Sequence, residues 1–174
     1  MSEPVKIAIV QGSHVETLWA EPLPDGHYRI DNIPLEIFNI SLGDVVVGSE
    51  RNDLLYADAL YEKSGNQTVR IKVPDGLSSP VGVKLIQALD GFGATYETYG
   101  DTVLSANVPP AADFEEVRLK LTILEREGIK FEQIDRSPNF PFPTVPDSPA
   151  QAFFDQQAKD DRKWFDEWLK GADS

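Results

Sequence analysis

The chain has 174 residues, with 29 Asp and Glu against 16 Lys and Arg, a formal charge of -13 and a pI near 4.5. Its length suits one ordinary domain or two small ones, and a hydrophobic share of 41% is enough to bury a core. The absence of Cys excludes disulfide scaffolds, Cys-ligated zinc, iron–sulfur clusters and thiol nucleophiles, and the acidity argues against nucleic acid or an anionic membrane and for a basic partner.

The apolar stretch within Met1 to Gln11 is too short for a secretory leader, and no run approaches the roughly 18 apolar residues of a membrane span. A soluble, cytoplasmic protein is therefore expected. His14 to Ala20 alternates polar and apolar residues as a half-buried strand does. Pro24-Asp25-Gly26 turns the chain into Tyr28-Arg29-Ile30, and Asp31-Asn32-Ile33-Pro34 breaks that second strand. Leu42-Gly43-Asp44 leads into Val45-Val46-Val47, and Leu54 to Tyr61 is a further strand ended by Lys63-Ser64-Gly65-Asn66. Residues 1–66 thus predict a small, strongly bent, SH3-like β-barrel with a net charge of -7.

Residues 67–136 change period. Thr68 to Val73 alternates strictly; Ser79-Pro80 starts a helix carrying Val83, Leu85, Ile86 and Leu89, and Gly91 and Gly93 stop it. Strands follow over Ala94 to Tyr99 and Thr102 to Val108. Asp113 with Glu116 forms a capping box before Phe114, Val117, Leu121 and Leu124, and Ile129 to Ile134 alternates again. The order βαββαβ predicts a ferredoxin-like unit, so the fold class is α+β. Residues 137–174 read as a Pro-rich link, anchored by Phe140 and Phe142, and an amphipathic aromatic helix. Ser148-Pro149 caps that helix, Gln151 completes a capping box, and Phe153, Phe154, Ala158, Phe165, Trp168 and Leu169 share one side.

No phosphate loop, dinucleotide-binding glycine pattern, nucleophile elbow or zinc-protease motif occurs. Gly91-Phe92-Gly93 ends a helix, where the dipole disfavours phosphate. Adjacent Asp160-Asp161 and Glu115-Glu116 diverge by about 100° on a helix and cannot chelate one ion alone. No cofactor and no metal are expected. His14 and His27, on the two strands of one predicted hairpin and with Glu16 or Asp25 nearby, are the candidates for acid–base chemistry, against the plainer reading of two surface imidazoles. The terminal helix is the most informative feature. Its aromatic residues either dock on the core or, rimmed by Asp160, Asp161, Asp166 and Glu167, form a partner site.

Val15-Glu16-Thr17-Leu18-Trp19-Ala20-Glu21-Pro22-Leu23, then Asp25 to Pro34 containing Asp-Asn-Ile-Pro, then Ser41-Leu42-Gly43-Asp44-Val45-Val46 together resemble the bacterial domain of unknown function 4265 family. The resemblance covers roughly residues 14–136. It implies a small cytosolic bacterial protein with no catalytic motif, and some relatives look like immunity proteins of polymorphic or contact-dependent toxin systems. Within these blocks Trp19 is expected in the core and Gly43 at a positive-φ turn position.

The expected function is therefore that of a non-enzymatic immunity protein that blocks a cognate basic toxin acting on nucleic acid. Its predicted contacts are Asp25, Glu50, Asp53, Asp58, Asp160, Asp161, Trp164, Glu167 and Trp168. The rivals are a small-ligand-binding regulatory module with a preference for cations and an enzyme built on the two histidines.

Overall fold

A computed structural model of the chain describes residues 2–135 and 141–172. Its N-terminal lobe is a closed barrel of β1 (Val5–Gln11), β2 (His14–Pro22), β3 (Tyr28–Ile30), β4 (Val45–Arg51) and β5 (Leu54–Glu62). Neighbours pair antiparallel, and β1 closes on β5 in parallel at Ala8 and Tyr56. Period-2 alternation sends Ile7, Ile9, Leu18, Ala20, Ile30, Val46, Ala57 and Leu60 inside, while two register shifts in the β4–β5 pairing bend the wall. The apolar N-terminal stretch, too short for a leader, forms β1 and supplies the strand that closes the barrel.

Trp19 corrects the expectation of a core residue. It points outward between inward-facing Leu18 and Ala20 and is 47% exposed, with the Lys6 ammonium 5.2 Å from its ring centroid. A barrel of five strands is filled by small and branched side chains, and the alternation phase sets the indole on the outer wall.

The second lobe follows the predicted order: β6 (Gln67–Lys72), α1 (Pro80–Gly91), β7 (Thr95–Tyr99), β8 (Val103–Val108), α2 (Phe114–Glu125) and β9 (Lys130–Gln133). The sheet order β7-β8-β6-β9, antiparallel throughout, is that of a ferredoxin-like unit. Val69, Ile71, Leu104, Ala106 and Val108 pack against Leu85 and Leu89 of α1 and Val117, Leu121 and Leu124 of α2. Ser79 caps α1 by accepting Gly82 N–H at 3.2 Å, and Asp113 caps α2 by accepting Glu115 N–H at 2.9 Å.

Gly82 sits where the first turn of α1 presses on the preceding loop, and a Cβ there would lie 2.3 Å from the Leu77 carbonyl oxygen. Gly82→Ala is expected to destabilise the protein by about 1–3 kcal/mol despite alanine's better helix propensity, read as a lower midpoint in urea unfolding.

The link leading out of this lobe was expected over 137–146; Phe140 and its neighbours at 136–139 lie outside the described residues. Beyond them Pro143 O accepts Leu60 N–H at 2.7 Å, Val145 N–H donates to Leu60 O at 2.9 Å, and Phe142 packs on the barrel core as anticipated. α3 (Pro149–Ala172) then begins with Ala150 fully buried in that core, and Phe154 leans on it one turn later. Ser148 caps α3 through Gln151 N–H at 3.2 Å. The Gln151 side chain does not complete a capping box: its oxygen accepts from Thr144 Oγ1 at 2.7 Å and its amide N–H donates to Asp155 at 3.0 Å, so both ends of the amide are engaged elsewhere.

Candidate functional site

The chemistry-bearing groups gather where the two lobes meet. Segment 31–44, between β3 and β4, lies between the inward-facing side of the β1–β2 hairpin, where it adds Ile37 and Ile40 to the barrel core, and the open face of the second sheet, and polar side chains hold it on both sides. The Glu16 carboxylate accepts the N–H groups of Leu35, Glu36 and Ile37 at 2.8–3.0 Å. The Gln11 amide both donates to Phe38 O and accepts Phe38 N–H. Asn32 accepts Trp19 N–H at 2.8 Å. From the second lobe, Glu97 accepts Ile33 N–H at 3.0 Å and Ser105 Oγ donates to Pro34 O. Gly43 adopts φ 82°, the left-handed turn expected of it.

Beneath this strap sits a buried ion cluster. Asp44, fully buried, takes the Lys63 ammonium at 2.6 Å and also accepts from Ser41 N–H, Ser64 N–H and Ser64 Oγ. Asp135, just after β9, accepts from Ser41 Oγ and from Thr68 N–H, while Thr68 Oγ1 donates to Ser41 Oγ at 2.8 Å. One hydroxyl therefore bridges the barrel loop and the sheet. Burial pushes the Asp135 carboxyl up to about 6, against the pull of Lys63 and of its hydrogen bonds. Sequence reasoning missed Asp44, Lys63 and Asp135 as a group.

The elevation has a sign that experiment can read. The folded protein holds the Asp135 proton more tightly than the unfolded chain, whose carboxyl stays near 3.8. Stability from this group is thus fully present below pH 4 and falls as pH rises through 6, by about 3 kcal/mol in all. Asp135→Asn is expected to flatten that component and to raise stability at pH 7, checked by urea melts of both proteins across pH 4–8.

A cavity of about 170 Å³ opens beside the cluster, lined by Lys63, Gly65, Asn66, Gln67, Asp135 and, from α3, Phe153, Phe154 and Gln157. Past Gln157, α3 leaves the lobes. Every described residue from Ala158 onward is exposed, including Trp164 at 66%, Phe165 at 51% and Trp168 at 55%. Phe165 stacks on Trp168 with centroids 6.1 Å apart. The aromatic residues of α3 therefore divide: Phe154 docks, and the distal three do not.

The predicted contact residues fall in three places. Asp25 is in the β2–β3 turn, where its carboxylate accepts His27 N–H and meets His27 Nδ1 at 3.0 Å; the His27 backbone bond leads in lowering its pKa. Glu50 and Asp53 stand at the β4–β5 hairpin, with Asp53 at φ 62°, and Asp58 pairs with Arg51 at 2.9 Å. Asp160, Asp161, Trp164, Glu167 and Trp168 all lie on the projecting half of α3. Topology brings the first two groups to one end of the barrel: β3 and β4 pair antiparallel, with Tyr28 opposite Val46 and Arg29 opposite Val45, so the β2–β3 turn and the β4–β5 hairpin both lie beyond the same ends of these strands. The helix is also less acidic than its rim suggested, since Lys159, Arg162, Lys163 and Lys170 are interleaved with its carboxylates.

His14 and His27 do not converge. His14 opposes Gln11 in the β1–β2 hairpin, whereas the β2–β3 pairing reaches only from Ala20 to Pro22, some 20–26 Å along β2 from His14. His27 instead stacks on Tyr61 at 4.1 Å and faces Asp25. Among the described residues no three His, Asp or Glu side chains are grouped to hold a metal ion, and no helix is long and apolar enough to cross a membrane.

A closed barrel strapped to a ferredoxin-like sheet over a buried Asp–Lys–Asp cluster defines a two-lobed α+β protein. The chain belongs to the family described as domain of unknown function (DUF4265), whose model matches residues 16–131. It is also similar to a protein of known structure from Neisseria gonorrhoeae, described as a novel crystal structure of a hypothetical protein. That likeness has 25% identity and a TM-score of 0.68, and covers 77% of this chain and 96% of the other. No curated protein matches.

Proposed function

We propose that this is a non-enzymatic, cytoplasmic immunity protein that binds and blocks a cognate basic toxin domain acting on nucleic acid. The observation that carries the reading is the distal half of α3, which holds two Trp and a Phe in water on a helix rooted in the barrel. Exposed aromatic anchors of this size on one short segment are what protein-binding hot spots are made of. The lobes carry most of the -13 charge and would steer a basic partner toward the helix, while the balanced charges of α3 leave its contacts to be decided by burial and shape.

The decisive experiment mixes the purified chain with the polypeptide encoded by the adjacent gene. A 1:1 complex that suppresses that polypeptide's nuclease or deaminase activity is expected, with an association rate that falls as salt rises. Absence of a complex at micromolar concentrations, or a complex that leaves the activity intact, overturns the reading.

A further inference from the structure

The cavity between the lobes is independent of the exposed face of α3. Its walls are chemically unlike one another. Phe153 and Phe154 form an aromatic side with their rings edge to face at 5.5 Å and 83°. Asn66, Gln67 and the Asp135 carboxyl form a polar side rich in acceptors. Lys63, the cation on the wall, is already committed to Asp44 at 2.6 Å. The charged groups facing Asp135 are therefore Lys63 and Asp44, and with Asp135 ionised the cluster carries one net negative charge.

We infer that this cavity binds a small organic monocation, an ammonium or amidinium group on a single apolar ring or short chain, with the cation on Asp135 and the apolar part against the wall formed by Phe153 and Phe154. The volume matches such a ligand: about 150 Å³ takes a benzene ring, and this cavity has about 170 Å³. Asp135 spends one lone pair of each oxygen on Ser41 and Thr68, which leaves acceptor capacity for a ligand N–H. An incoming cation also relieves the desolvation that raises the Asp135 pKa, so binding and ionisation favour each other. A carboxylate ligand of the same shape would meet a wall already negative.

The test titrates the full chain with phenethylamine and benzamidine, and with phenylacetate as the charge control, by calorimetry and thermal denaturation. The expected result is saturable binding and a raised melting temperature with the two cations and neither with phenylacetate. Affinity for phenethylamine should fall as pH drops below 6, approaching tenfold per unit, because the proton competes for the same carboxylate. Asp135→Asn should weaken phenethylamine at least tenfold at pH 7.5. The pH titration of the unmodified chain carries the same information if that variant fails to fold. Equal binding of phenylacetate, pH-independent cation binding, or no response to either cation at millimolar concentration overturns the assignment. None of these outcomes bears on whether α3 engages a toxin.

Discussion

Lys63→Met is expected to destabilise the protein by about 3–5 kcal/mol and to lower its melting temperature by about 6–20 degrees. Methionine replaces the aliphatic stem with similar volume, so the loss is not that of a cavity. It arises because Asp44 is fully buried and its closest counter-ion has been removed. Hydrogen bonds from Ser41 N–H, Ser64 N–H and Ser64 Oγ remain, and they hold the carboxylate in place without neutralising it. Adding Asp44→Asn to the same chain should recover a large part of the loss, since the uncompensated charge is then gone and only the pair's own modest net contribution is missing. Urea unfolding of the wild type, both single variants and the double variant measures this cycle. A loss below 1 kcal/mol in Lys63→Met would mean that water reaches Asp44.

Trp164→Ala and Trp168→Ala should each weaken the complex with the toxin by at least about 30-fold, equivalent to some 2 kcal/mol, and leave the melting temperature within about a degree. The separation of the two effects follows from exposure. Neither indole packs on the lobes, so truncation removes no intramolecular burial beyond the stacking of Phe165 on Trp168. Calorimetric titration against the partner, alongside a thermal melt of each variant, reads both quantities. Unchanged affinity in both variants would move the interface onto the acidic lobes, where Asp25, Glu50, Asp53 and Asp58 then become the residues to reverse.

Local chemistry wrote much of the fold into the chain. Ser79-Pro80, Asp113 and Ser148-Pro149 started helices where their caps said they would, and the strict alternation of residues 68–73 marked the central strand of the second sheet. What escaped was whatever depends on phase or on distance. Trp19 alternates correctly, but nothing in the sequence says which of its two faces closes the barrel. Asp44 and Lys63 look like an ordinary turn acid and strand-end base, and Asp135, which joins their cluster through Ser41, lies 91 residues downstream of Asp44. The histidines failed as a pair for the same reason: two strands of one hairpin are neighbours only where their register overlaps, and β3 is three residues long.

The blocks that signal the family also gained a physical meaning. Glu16 and Trp19 from the first, Asn32 to Pro34 from the second and Asp44 from the third are the donors and acceptors that fasten segment 31–44 to both lobes. They read as a signature of how the lobes are joined, and none of them lies on the distal half of α3.

That helix is gripped by its first turns alone, through Ala150 and Phe154, and begins after the last residue of the family match. Its outer turns can accordingly drift in sequence at almost no thermodynamic penalty to the chassis beneath them. Kinship judged over residues 16–131 then sorts proteins by a shared frame and is silent about the tool mounted on it, so two members with the same frame have no obligation to recognise the same adversary.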